Sequence, residues 1–189
     1  MNILAHLYLS KTFNQAMIGN YIGDFVKGNQ YLRYPDEVQK GILFHRQIDR
    51  FTDAHPIHKK SRDHFRPAYG LYAGIVTDII YDYFLAKNWK DYHEDSLADF
   101  AHNVYRFLKG NWDLIPGEMQ YFASFMIKNN WLVLYSQLDG IERVLNGMAR
   151  NTSLPQKTAQ AMEIIQQEAE NLQKEFTEFF LEINKMFTV

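Results

Sequence analysis

The sequence predicts an all-α protein, a single compact helical domain of seven to nine helices spanning residues 1–189. Three observations lead there. Apolar residues recur at three- and four-residue spacing along nearly the whole chain, no stretch of useful length alternates apolar with polar, and Pro or Gly falls where the periodic segments end. The chain has 189 residues, 47% hydrophobic and 22% charged, enough for one well-buried core and too apolar for disorder. No internal repeat or linker divides it.

Each element has its own signal. Residues 2–10 form a short helix with Ile3, Leu4, Leu7 and Tyr8 toward the core and His6 among them. The next helix runs from Gln15 to Gly28 and carries Gly19 and Gly23 one turn apart. Each glycine costs a helix about 1 kcal/mol, so something must come close there. Pro35 with Asp36 and Glu37 starts a third helix, since Pro suits the first turn and acids suit the positive end of the dipole. Asp53-Ala54-His55-Pro56 ends it. A short basic helix follows from Ile57 to Phe65, and Arg66-Pro67 opens the helix that holds Gly70, Gly74, Asp78 and Asp82. Asp95-Ser96 begins a helix to Lys109, Pro116-Gly117-Glu118 one through Ile127, and Trp131 one to Arg150. Ser153-Leu154-Pro155 caps a long last helix whose apolar stripe includes Met162, Ile165, Leu172, Phe176, Phe179, Phe180 and Ile183.

Composition narrows the function. The net charge is −2, which gives no global attraction to nucleic acid. Cys is absent, removing disulfides, thiolate metal sites and thiol catalysis. The N-terminus lacks a basic region and breaks its apolar run with His6, so it does not read as a signal peptide. No run approaches the length needed to span a bilayer. The expectation is a cytoplasmic protein with no membrane or nucleic-acid partner.

The chemistry concentrates between Gly41 and Leu85. His45 and Asp49 are four apart, as are Asp78 and Asp82, so each pair shares one helix face. Their neighbours Ile48, Ile79, Ile80 and Tyr81 are apolar, and a buried carboxylate demands an ion pair or a metal. Together with His55 they make an oxygen-and-imidazole ligand set for a divalent ion. The plainer reading is ion pairing with Arg46, Arg50, Arg62 or Arg66. Asp24 closes an apolar helical run, where the dipole disfavours an acid; a turn-forming role is the alternative. His6 on an apolar face reads as a core histidine, and His58, His64, His93 and His102 read as surface residues. The aromatics Tyr69, Tyr72, Tyr81, Tyr83 and Phe84 read as core packing or as the wall of a cleft. Between Lys40 and Arg66 seven basic residues stand against three acids. That patch is either a solvated face or a seat for phosphate or an acidic protein.

Four segments carry a family resemblance. Asn2-Ile-Leu-Ala-His6-Leu, Gly19-Asn-Tyr-Ile-Gly-Asp24-Phe-Val-Lys-Gly28, Gly41-Ile-Leu-Phe-His45-Arg-Gln-Ile-Asp49-Arg-Phe-Thr-Asp53-Ala-His55-Pro56 and Tyr72-Ala-Gly-Ile-Val-Thr-Asp78-Ile-Ile-Tyr-Asp82-Tyr-Phe-Leu-Ala86 resemble the acyl carrier protein phosphodiesterases. The likeness is dense over the first 90 residues or so; beyond Trp89 it reduces to helical pattern and length. Thr77 and Tyr81 depart from the more apolar residues expected in the last segment.

The resemblance implies a divergent HD-domain-like phosphohydrolase that releases 4′-phosphopantetheine from the serine of holo-acyl carrier protein. It implies a divalent cation, Mn2+ foremost with Mg2+ or Fe2+ as substitutes, and the carrier protein and phosphopantetheine as partners. The matching polar positions are His6, Asp24, His45, Asp49, His55, Asp78 and Asp82. On that reading His45, Asp49, Asp78, Asp82 and Asp24 supply metal ligands, while Asp24, His55 and His6 are catalytic. Arg46, Arg50, Lys59, Lys60, Arg62 and Arg66 bind phosphate or the acidic carrier. The alternatives are a related hydrolase of nucleotides or other small phosphoesters, and a helical module that binds carrier protein without chemistry.

Overall fold

The computed structural model describes residues 1–187 and contains, among them, eleven α-helices, short 3-10 segments and no strand. The all-α expectation holds. Helix α1 (Ile3–Leu9) is short and buried on nearly every side. Helix α2 (Gln15–Ile22) starts on Asn14, whose side chain accepts hydrogen bonds from the amides of Ala16 and Met17. Helix α3 (Asp36–Ala54) begins after Pro35 with two acids in its first turn, and α4 (Pro56–Tyr69) opens with proline in its first turn.

Helices α2 and α3 pack with backbones almost in contact. A Cβ on Gly19 would lie 2.1 Å from the Val38 carbonyl oxygen, and one on Gly41 would lie 1.9 Å from that of Ala16. The glycines are therefore fixed by packing, as their spacing in α2 suggests.

Several boundaries differ from expectation. Helix α2 ends at Ile22 rather than at Gly28; a 3-10 turn over Gly23–Phe25 follows and directs Asp24 out of the core. Pro67 does not open a helix. It lies in the last turn of α4, which continues to Tyr69 and stops at Gly70, whose φ of 54° breaks the right-handed path. Helix α5 (Ala73–Lys87) then carries Asp78 and Asp82.

Helices α6 (Leu97–Gly110) and α7 (Gly117–Lys128) follow expectation. The segment from Trp131 divides into α8 (Trp131–Leu134) and α9 (Leu138–Asn151), because the start of α9 folds back on α8. A Cβ on Gly140 would meet the Leu134 carbonyl oxygen at 2.0 Å. The last helix divides at Glu168 into α10 (Thr158–Gln167) and α11 (Ala169–Phe187). These interruptions raise the count above seven to nine. One continuous apolar core runs from Met1 to Ile183, with α11 laid across α4. Among the described residues no helix is long and apolar enough to cross a membrane.

Candidate metal centre

Three neighbouring helices bring the site together. His6 projects from α1, and His45 and Asp49 from one face of α3, the four-residue spacing stacking them one turn apart. The two imidazoles stack on each other with centroids 4.0 Å apart and planes at 14°. This packing needs Gly23, because a Cβ there would lie 2.2 Å from the His45 ring. Asp24 follows immediately, with its side chain 71% exposed at the open edge.

Asn20 of α2 fixes both imidazoles. Its amide nitrogen donates to the His6 carbonyl at 2.7 Å and to Ser10 Oγ at 2.9 Å. That turns Asn20 Oδ1 toward His6 Nδ1 at 2.8 Å, so this nitrogen must carry the proton. The Asn20 backbone carbonyl meets His45 Nδ1 at 2.8 Å and imposes the same tautomer. With both Nδ1 atoms committed, the neutral rings present Nε2 lone pairs, and both Nε2 atoms face one carboxylate. His6 Nε2 is 3.1 Å from Asp49 Oδ1, and His45 Nε2 is 3.0 Å from Asp49 Oδ2 and 3.4 Å from Asp24 Oδ1. His45 Nε2 is buried without an aligned hydrogen-bond partner. Lone pairs aimed at an anion repel unless a proton or a cation lies between them, and the ligand atoms of His6, His45 and Asp49 lie within 4.8 Å of one another. Two imidazoles and carboxylates, each histidine anchored through its second nitrogen, fit a divalent transition ion.

The electrostatics agree. Burial opposes protonation of His45, yet Asp24 and Asp49 raise its pKa to about 9. Burial pushes His6 down. Asp49 is raised by burial but held far below the usual carboxylate range by His45, His6 and the terminal amine. Its hydrogen-bonding distance to His45 likewise keeps Asp24 low.

Asp78 adjoins the cluster from α5. The Met1 ammonium lies 3.2 Å from Asp49 Oδ1 and 3.5 Å from Asp78 Oδ2, which raises its pKa to about 10 against the effect of burial. The other Asp78 oxygen meets His58 Nε2 at 2.8 Å. His58 is thus buried, not a surface residue, because α4 turns it inward against Tyr81 and Phe179. Asp82 is turned to a different task. Its two oxygens accept the amide hydrogens of Leu4 and Ala5 at 2.8 and 3.0 Å, satisfying the otherwise unpaired start of α1. Burial raises its pKa to about 7.

The structure does not bring His55 to the cluster. It lies ten residues beyond His45 on the same chain, roughly 15 Å along the helix axis, packed on Phe51 and Phe179 with Nε2 3.2 Å from Glu182. The basic residues are dispersed. Arg46 donates to the carbonyls of Val26 and Gly28, pinning the segment after Asp24. Lys60 pairs with Glu175 and Arg66 with Asp63. Arg50 and Lys59 are exposed, and Arg62 is half-buried beside Gly74.

A cavity of about 270 Å3 opens directly on the cluster. Its inner end is His6, His45, Asn20 and Asp24; its far wall is Met119 and Phe122 of α7, Trp131 of α8, Tyr135 and, on α9, Val144 and Met148. Sequence reasoning missed Asn20, whose role lies in where its amide points, and missed this wall, whose residues carry the same apolar signal as core.

Fold and site together define a helical protein with a two-histidine, carboxylate cluster that could hold a metal ion, beside a mostly apolar cavity. The family model described as acyl carrier protein phosphodiesterase matches residues 1–183. Among curated relatives, the acyl carrier protein phosphodiesterase of Yersinia enterocolitica is 33% identical over 181 residues, covering 95% of this chain and 94% of its own. That of Photorhabdus laumondii is 38% identical over 151 residues, covering 79% and 76%. That of Klebsiella pneumoniae is 30% identical over 187 residues, covering 98% and 97%. No solved structure matches. The chain belongs to the acyl carrier protein phosphodiesterase family.

Proposed function

We propose that this protein is a metal-dependent phosphoric diester hydrolase that releases 4′-phosphopantetheine from holo-acyl carrier protein, leaving the apo-carrier. The single observation that carries the metal dependence is the pair of imidazoles, each donating its Nδ1 hydrogen to an oxygen of Asn20, that aim Nε2 at Asp49. The relatives' name supplies the substrate. On this reading the chain is one catalytic domain, a divergent relative of the HD-type phosphohydrolases.

His6, His45 and Asp49 would hold the ion, with Asp24 at its open side and Asp78 next to Asp49. A mixed donor set of two imidazoles and carboxylates suits Fe2+ through its nitrogens and Mn2+ through its oxygens, and fits Mg2+, which prefers oxygen throughout, less well. When bound, the divalent ion polarises the phosphoryl oxygens and makes a coordinated water more acidic. The chain's own residues do the rest. Asp24, ionised and exposed, accepts a hydrogen bond from the attacking water and orients it toward phosphorus. The water oxygen bonds to phosphorus, the bond from phosphorus to the serine oxygen breaks, and the serine leaves as a hydroxyl with the proton the water gives up. Exposed Arg50 and Lys59 are basic side chains free to steer an acidic carrier toward the protein.

The test is mass spectrometry of holo-acyl carrier protein incubated with the protein and Mn2+, with and without chelator. Loss of the phosphopantetheine mass, blocked by chelator, is the expected outcome. No loss with metal bound would overturn the substrate and direct the search to other phosphoesters. Undiminished loss under chelation would overturn the metal.

A further inference from the structure

We propose that the cavity beside the metal centre is the seat of the pantetheine arm, and that Tyr21, Met148 and Val144 set specificity for it. This rests on the phosphodiesterase reading above, because it places the phosphate at the centre and asks where the rest of the substrate goes.

The directions available are two and they are unlike. Toward Asp24 the site is open, the carboxylate side chain being 71% exposed. A folded carrier protein can approach at that edge. From the same edge the cavity of about 270 Å3 runs past His6 and His45 to the apolar wall; it is close to the lower end of the roughly 300–1,000 Å3 usual for small-ligand sites and far too small for a protein segment of any length. The phosphodiester has one substituent of each kind, so the serine side faces out and the arm faces in.

The chemistry of the walls fits this arm. Beyond the cluster itself no charged side chain lines the cavity. A nucleotide's second phosphate or a sugar phosphate would find no cation there, whereas an uncharged, largely aliphatic chain is matched by Met119, Phe122, Val144 and Met148. The fit is not to a pure hydrocarbon. Tyr21 lines the cavity, and its hydroxyl is buried without a hydrogen-bond partner. An unpaired buried hydroxyl costs free energy that a ligand amide removes by pairing with it. The arm carries amides along an aliphatic chain, which is the combination these walls ask for.

The test compares two ligands that share the phosphate and differ in the arm. Calorimetry of the Mn2+-loaded protein would measure the affinity of 4′-phosphopantetheine and of inorganic phosphate in the wild type and in Tyr21→Phe, Met148→Trp and Val144→Trp. The wild type should bind phosphopantetheine at least tenfold more tightly than phosphate. Tryptophan at 148 or 144 fills the space and should bring that ratio near one with phosphate affinity kept, while Tyr21→Phe, which changes one atom and keeps the packing, should reduce it severalfold. A ratio near one in the wild type, or a ratio unchanged in all three variants, would overturn the proposal. Because binding is read directly, the outcome is separate from turnover: absence of carrier hydrolysis counts against the proposed function and not against the arm's seat.

Discussion

Asn20 is a neutral residue on which the two histidines of the proposed metal centre depend. Its side-chain oxygen and its backbone carbonyl each take one Nδ1 proton, and its amide hydrogens are used up on the His6 carbonyl and Ser10. Removing the side chain in Asn20→Ala frees His6 to change tautomer and tilt. Partners of this kind are worth about 10–100-fold in metal affinity, and we expect a Mn2+ dissociation constant raised by that factor with the fold retained, as read by calorimetry. The charged state of His45 makes a second residue-scale prediction. Its pKa rises from 6.5 in the ordinary imidazole to about 9 here, so the stability it contributes is complete below pH 6.5 and is lost as pH rises through 9. The metal-free protein should therefore show a falling Tm across that window. With Mn2+ bound the decline should vanish, since the ion replaces the proton between His45 and the carboxylates. A Tm profile independent of pH from 6.5 to 9 in chelator would contradict the arrangement.

At the scale of elements, the site depends on how closely α2 and its following turn approach α3. Gly19, Gly23 and Gly41 leave room where a methyl group would strike backbone or the His45 ring. Gly23→Ala should rotate that ring out of its stack on His6. Overpacking of this sort costs typically ~1–3 kcal/mol, so the variant should fold with a lowered Tm and lose Mn2+ binding altogether; unchanged binding would show that the ring has another place to go. The sequence announced much of this. Gly19 and Gly23 at one-turn spacing, and His45 with Asp49 at the next, are helical patterns whose meaning survives without coordinates. The break after Ile22 was less visible, because Gly23-Asp24-Phe25 continues the apolar rhythm while its backbone tightens to 3-10 geometry. His58 was hidden for a different reason. Lys59 and Lys60 beside it suggest solvent, but helical phase and not neighbours in sequence decides which way a side chain points.

Over the whole molecule, the cluster and the cavity come from different parts of the chain. Residues 6 to 49 hold the proposed metal, and residues 119 to 152 build the far wall of the cavity. The first part carries polar residues whose spacing is informative. The second presents Met119, Phe122, Trp131, Val144 and Met148, which by type and period are ordinary core, and only their placement against an enclosed space sets them apart. All-α architecture was legible throughout, since hydrophobic period survives any arrangement of helices, whereas the divisions at 135–137 and 168 arise from packing between helices.

Asp82, which holds the start of α1 by its two amide hydrogens, stands almost eighty positions after the helix it secures. During synthesis, α1 lacks the carboxylate that holds its first amides until α5 has emerged, and the cavity lacks Val144 and Met148 until α9 has. The growing chain thus carries the residues of the proposed metal centre long before the cavity beside them is complete.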